Sequence, residues 1–519
     1  MNKPNFLLIL VDQMRKDNMG HSWPEWRQAG QGPKTPHLDG LAREGTSFAR
    51  AYSVHPYCMP ARATLVTGLM PSGHGVRTNG INLSPHFPTL PGALADAGYR
   101  THCVGKTHFN TWSFPAAGET DKYTPADYPE SEHMWNSGRI RALPLPYYGY
   151  QQVEFVGGHG QWIWGDYFNW LKQAHPQHAA NMTFEKSAPA SSGAKGCYQL
   201  RIPAAVHYNT WIADRSIEFL KRATEDKKGK APFFLCASFP DPHAPWAAPD
   251  PWFSLYPRAK MPAPVGRPGE HDQLPEHLAK AAKQKTPSAE WRPQLADIMA
   301  ITYGMISFVD EQIGRLMAEL GRLGLEEDTV IVFAADHGEM LGDHGLVGKG
   351  PYGFNGVLNI PYIWRAKGRF AAQGKSQALV SQLDFVPTVL ELAGLKDLRY
   401  STAPAPGEYK KTLTGRSLLP LLTGKETHVN QAILVEDDDD WLGARLRTLV
   451  TEQHTLTAYI RENGLQDLGL FFDLKTDPGQ TNNLWKSAAH QSLKQELLAQ
   501  LAVEQIRVMN RSPVAHTSF

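Results

Sequence analysis

A cysteine stands two residues before a proline and four before an arginine in Cys58-Met59-Pro60-Ala61-Arg62, and the apolar stretch that follows closes at Thr67-Gly68. Pro60 suits the first turn of a helix, where its missing N–H removes no hydrogen bond. Ala61 to Val66 can carry that helix and Gly68 can end it. Cys58 would then occupy the positive end of the helix, where backbone N–H groups favour a thiolate or a bound anion. Arg62, one turn on, is expected to reach back toward position 58. Such a constellation suits a negatively charged tetrahedral group.

Two further pairs carry chemistry. Asp12-Gln13 follows the apolar run Phe6 to Val11, and Asp336-His337 follows the run Thr329 to Ala334. If the two runs are neighbouring strands, two carboxylates, an amide oxygen and an imidazole converge. That set suits an oxygen-rich divalent cation.

The elements that must position these residues are legible. Continuous apolar runs at Phe6–Val11, Pro232–Ser238 and Thr329–Ala334 predict parallel strands buried on both faces. Helical patterns lie between them, at 36–45, 90–98, 208–224 and 295–323. The fold class is therefore α/β, a large domain with a mostly parallel central sheet flanked by helices. Its polar site belongs at the carboxyl ends of the strands. The large domain is expected over 1–405. Insertions at about 110–202 and 245–293, rich in aromatics and prolines respectively, are expected to fold as loops over the mouth. Pro404 to Gly415 reads as a linker. Closely spaced strands at 432–436, 446–451, 455–460 and 470–474, then a helix at 489–505, predict a C-terminal subdomain over 416–519. It combines a small antiparallel sheet with one helix. The acid run Glu436 to Asp440, followed by Trp441, reads as a solvated turn.

Lys plus Arg is 52 against 51 for Asp plus Glu, so the balance excludes a general nucleic-acid or membrane-surface binder. Cys58, Cys103, Cys197 and Cys236 are too widely spaced for a disulfide framework or a zinc site. The N-terminal apolar run is broken by Asp12, too short for a signal-peptide core. A cytoplasmic protein is expected, and a homo-oligomer is compatible with the sequence.

The run from Cys58 to Gly68 resembles the signature of the formylglycine-dependent sulfatases, within the alkaline phosphatase superfamily. The resemblance implies that a maturation enzyme oxidises Cys58 to formylglycine, whose hydrate is the nucleophile. Ala61 departs from the serine many members carry. Asp12, Gln13, Asp336 and His337, with position 58, match the family's metal ligands. The resemblance implies one divalent cation, calcium before manganese or magnesium, and the imidazole at 337 brings manganese closer. Gly105-Lys106-Thr107-His108 resembles the segment whose lysine binds sulfate and whose histidine holds the hydrate. Pro242-His243-Ala244-Pro245 resembles the segment whose histidine contacts the ester oxygen and can protonate the leaving group. Gly348-Lys349-Gly350 resembles the segment bearing the last sulfate-binding lysine. Asn79 and, more weakly, His74 are further candidates to face the site. The implied substrate is a small-molecule or saccharide sulfate ester. Gln13 with His337 is similar to the phosphonate monoester and phosphodiester hydrolases, the competing reading. A non-catalytic binding protein with unmodified Cys58 is the third.

Overall fold

The computed structural model describes residues 3–25, 30–116, 118–225, 231–267, 269–283, 291–395, 413–440, 443–461, 464–465 and 468–509. Most of the expected linker and Trp441 lie outside them. The three apolar runs are adjacent central strands: Asn5–Val11 pairs in parallel with Thr329–Ala335 on one side and with Phe233–Phe239 on the other. All three are buried almost throughout, which explains why they lack an alternating pattern. Among the described residues this sheet has nine strands, in the order Gly374–Ser381, Thr46–Tyr52, Tyr362–Arg365, Thr329–Ala335, Asn5–Val11, Phe233–Phe239, Arg100–Gly105, Gln152–His159, Trp162–Gly165. Tyr362–Arg365 and Trp162–Gly165 run antiparallel to their neighbours, so the sheet is mixed though mostly parallel.

The register brings the chemistry together. Val11 pairs with both Ala335 and Phe239, so Asp12 and Asp336 leave adjacent strands at the same level. Gly105 pairs with Ser238. Its φ is +108°, and a Cβ there would lie 1.9 Å from the Ser238 carbonyl oxygen. Only glycine lets the chain turn there and deliver Lys106.

The stretch 110–202 departs from the expected loops. It supplies the last two strands of the central sheet and a helix, Asp166–Ala174. The period-two pattern was present in Val153-Glu154-Phe155 and Trp162-Ile163-Trp164, but Gly157, Gly158 and Gly160 interrupt it. The other long stretch, 245–293, contributes Trp246–Ala248 to a separate three-stranded sheet and a helix at Glu276–Lys283.

The C-terminal strands form an antiparallel sheet built on Ala432–Asp439, Ala444–Thr451, His454–Arg461 and Leu470–Asp473, against which the helix Gln491–Val508 packs. One core cluster joins the two parts, with Tyr52, Met340 and Phe354 packed against Val435, Tyr459 and Phe472. Among the described residues, no helix is long and apolar enough to cross a membrane.

Candidate active site

The helix that carries Cys58 spans Cys58–Thr67 and ends at Gly68, whose φ of +67° is the left-handed cap expected there. Every residue of the helix is buried, Cys58 included. The helix start is thus enclosed by other parts of the chain. Lys349 Nζ lies 3.2 Å from the Cys58 sulfur, and Asn79 Nδ2 lies 3.5 Å from it. Asn79 Oδ1 accepts the Met59 N–H at 3.0 Å, so Asn79 fixes the helix start as well as facing the thiol. His74, by contrast, bonds Thr64 Oγ1 at 3.1 Å and stays in the packing behind the helix.

Asp12 and Asp336 are fully buried at the ends of their strands. Asp336 Oδ1 accepts the backbone N–H groups of Gln13 and His337, at 3.0 and 2.9 Å. His337 Nδ1 lies 2.9 Å from the Gly338 carbonyl, so Nδ1 carries the proton and Nε2 keeps its lone pair. That Nε2 lies 3.5 Å from Asp12 Oδ1 and 3.7 Å from Asp336 Oδ1. Asp12 Oδ1 and Gln13 Oε1 are buried without a hydrogen-bond partner. Buried oxygens without donors, gathered around an imidazole lone pair, fit a divalent cation. Asp12, Cys58 and His337 bring one ligand atom each to within 4.8 Å of one another. Gln13 has a φ of +62°, a strained backbone at the point where the strand opens into the site.

Arg62, expected to reach toward position 58, makes its hydrogen bonds to the strand ends. Its Nε donates to Asp336 Oδ2 at 2.8 Å, and one terminal nitrogen donates to the Lys106 carbonyl and to Ser238 Oγ, both at 2.9 Å. The strand ends hold the better acceptors, and a buried guanidinium must satisfy them first. Lys106 lies against Asp12 Oδ2 and 3.0 Å from His159 Nε2. Lys349 Nζ also lies 2.9 Å from His243 Nε2 and 3.1 Å from His337 Nε2. His108, at φ +60°, stacks on Trp112 with ring centroids 3.7 Å apart.

A family model described as Sulfatase matches residues 4–395, and one described as N-sulphoglucosamine sulphohydrolase, C-terminal, matches residues 342–507. The chain belongs to the sulfatase family. With it, the chain joins the sulfuric ester hydrolases of the alkaline phosphatase superfamily. It is 28% identical over 523 residues to the multifunctional alkaline phosphatase superfamily protein PehA of Trinickia caryophylli, covering 95% of this chain and 93% of that one. It is 26% identical to an arylsulfatase of Clostridium perfringens, covering 93% of this chain and 91% of that one. The solved phosphonate monoester hydrolase of Agrobacterium radiobacter shares the fold, with a TM-score of 0.77 at 24% identity over 99% of this chain and 98% of that one.

The electrostatics of this sulfatase follow from burial against paired charge. Burial opposes a thiolate at Cys58, but Lys106, Lys349 and His108 outweigh it and hold the thiol well below its usual range. Burial opposes the Lys349 ammonium too, yet Cys58, Asp12 and Asp336 keep it above the ordinary lysine value. Burial lowers Lys106, with Asp12 and Cys58 working against it. The imidazoles go the other way. Burial pushes His108 down to about 4 and His159 to about 3, and it holds His243 well below the histidine range. Burial thus works against the charged form of each of these groups, and neighbouring acids overcome it at Lys349.

Sequence reasoning missed two residues of this sulfatase site. His159 ends the strand Gln152–His159, with Nε2 3.1 Å from Asp12 Oδ2. Glu130 is fully buried and accepts the N–H groups of His108 and Phe109 at 2.9 Å each, Trp112 Nε1 at 3.1 Å and Tyr147 OH at 2.8 Å. Both lie in the aromatic-rich stretch, as a lone histidine and a lone acid. Only the strand pattern around 152–164 signalled that this stretch reaches the sheet.

The acid run corrects a second expectation. Residues 436–439 end a largely buried strand, with Glu436, Asp437 and Asp439 buried, while Asp440 sits in an exposed turn. Glu436 accepts Ser72 N–H and O–H at 2.9 and 3.1 Å, and Asp439 accepts Tyr57 OH at 3.0 Å. Asp437 stands 3.2 Å from His55 Nε2, Asp438 pairs with Arg447 at 2.7 Å and Asp440 pairs with Arg77. The strand clasps the segment that carries Cys58.

Proposed function

We propose that this chain hydrolyses a sulfate monoester of a sugar, aryl or alkyl alcohol, using formylglycine made from Cys58 and one divalent cation. The observation that carries the reading is the position of one ammonium group. Lys349 Nζ is within hydrogen-bond distance of the Cys58 sulfur, His243 and His337 together. A group there can hold an oxyanion between the nucleophile, the leaving-group side and the metal side.

When present, the modified side chain supplies a hydrated-aldehyde nucleophile, and the cation adds Lewis-acid stabilisation of the oxyanion. Asp12, Gln13, Asp336 and His337 would hold that cation, with position 58 beside them. Calcium suits the oxygens, while the imidazole favours manganese. Lys106 and Lys349 would bind the ester oxyanion, and Asn79 would orient the side chain at 58. Arg62 would act through Asp336, by fixing its carboxylate. His108, held neutral by burial, would accept the proton released as sulfate departs. The leaving oxygen would receive its proton from the Lys349–His243 pair. Ester and water go to alcohol and hydrogen sulfate. The four cysteines are free and buried, which supports a reducing, cytoplasmic setting.

A phosphonate monoester or phosphodiester hydrolase is the second reading. Gln13 and His337 in the metal set favour it; Lys106 and His108 favour the sulfatase. Two measurements test the proposal. The peptide carrying Cys58 should be lighter by ~18 Da than its unmodified form, since a thiol has become an aldehyde. Matched nitrophenyl esters should then show a higher kcat/KM for the sulfate than for the phosphonate or phosphodiester. The reverse order would move the assignment to the second reading. An unmodified Cys58 with no turnover in protein made alongside the maturation enzyme would leave only a binding role. Cys58→Ala should abolish turnover, and Cys58→Ser should allow at most a single turnover, because a serine ester cannot eliminate as the hydrate does.

A further inference from the structure

His159 is built into the site on three sides. Its ring lies face to face with that of His243, with centroids 3.7 Å apart and planes within 10°. Its Nε2 is 3.1 Å from Asp12 Oδ2 and 3.0 Å from Lys106 Nζ. Its ring also stands 5.1 Å from Trp112, tilted, and Trp112 in turn stacks on His108 and lies 4.6 Å below the Lys106 ammonium. His243, by contrast, has few restraints of its own. It is half-buried, with Nδ1 turned to the Ala244 carbonyl and Nε2 to Lys349. Both of those contacts lie in the ring plane. What fixes the plane itself is the face of His159, which is pinned at its far edge by a buried carboxylate and a buried ammonium.

We propose that His159 is a positioning residue for the leaving-group side of the reaction, holding the His243 ring in the plane from which His243 and Lys349 meet the departing oxygen. The inference rests on the reading that this pair protonates that oxygen. It gives a task to the strand Gln152–His159, whose last residue carries the histidine. It also makes the leaving-group machinery depend on the metal-side carboxylate Asp12 through a single stacked ring.

The test is the dependence of kcat/KM on the leaving group. Wild type, His159→Ala, His159→Phe and His243→Ala are each assayed on a nitrophenyl ester and on an alkyl ester of the same oxyanion, with metal content measured on each protein. A nitrophenolate leaves without a proton and an alkoxide does not, so loss of proton donation falls on the alkyl ester, by ~100-fold if general acid catalysis has its usual size. His243→Ala should show that selective loss. His159→Ala should show at least a tenth of it, on top of a uniform loss from the freed Asp12 and Lys106. His159→Phe keeps a flat ring against His243, so it should retain the uniform loss and recover most of the selectivity. Equal losses on both esters in His159→Ala, beside a selective loss in His243→Ala, would overturn the inference and leave the leaving-group reading intact. So would a His159→Phe protein as selective in its loss as His159→Ala. If His243→Ala loses equally on both esters, the leaving-group reading itself falls, and the inference with it.

Discussion

Two groups of carboxylates adjoin the segment that carries Cys58, and they are finished in different ways. Asp12 and Asp336 end strands of the central sheet and turn oxygens toward the His337 lone pair, with Asp12 Oδ1 and the neighbouring Gln13 Oε1 left without a donor. Glu436, Asp438 and Asp439 at the end of a C-terminal strand and Asp440 in the turn after it are each met by an N–H, a hydroxyl or a guanidinium, while Asp437 among them keeps both oxygens buried without a hydrogen-bond donor, 3.2 Å from the His55 ring. Composition does not separate the groups, since the second is the more acidic. The groups that converge on them do. Carboxylates whose oxygens are already satisfied hold parts of the protein together. Buried, unmet oxygens suit a cation where other ligand atoms converge on them: Asp12, Cys58 and His337 bring theirs to within 4.8 Å of one another, whereas Asp437 faces the imidazole of His55.

The sharpest way to break that distinction is to neutralise one member of each group. Asp336→Asn should remove the bound metal and lower kcat/KM by roughly 10^3-fold or more, in line with the several kcal/mol a Lewis-acid cation supplies. Elemental analysis and steady-state kinetics on the same preparation would check both. Asp336→Ala should do this and also unfold more readily, because Arg62 Nε and two backbone N–H groups would lose their acceptor.

A smaller effect is expected where the donor type changes and the charge does not. His337→Asn replaces a nitrogen ligand by an oxygen one. Activity should persist, with preference moving from manganese toward calcium. Titrating the metal-free protein with each ion would read the shift. An unchanged preference would place His337 outside the first coordination sphere.

Smallest of all on catalysis should be Glu436→Gln. It keeps an acceptor for Ser72 but weakens a charge-assisted pair, at a cost of about 1–2 kcal/mol in stability. Metal content should not change, and kcat/KM should stay within about threefold of wild type, since ΔΔG of this kind acts on the clasp and not on the reacting groups. Thermal unfolding and metal analysis together would decide. Loss of metal in Glu436→Gln would erase the contrast between the two groups.

The sequence by itself determined the chemistry that sits at strand ends. A buried parallel strand is a continuous apolar run, and its first polar residues must emerge at the edge of the sheet. Asp12, Gln13, Asp336 and His337 were legible for that reason, and Lys106 and His243 follow strands of the same sheet. The helix from Cys58 to Gly68 was legible from local rules of proline and glycine. Tertiary structure alone decided the partners. Arg62 lies one turn from Cys58, yet it serves Asp336, because the strand end presents stronger acceptors than the helix start. His159 and Glu130 carry no local signature, since a single histidine or acid gains its role only from what the fold sets against it. The acid run looked solvated because charge density along a chain is a local quantity. The burial of residues 436–439 depends on Ser72, Tyr57 and Arg447, distant from them or on a neighbouring strand, and only the folded chain brings those donors to them.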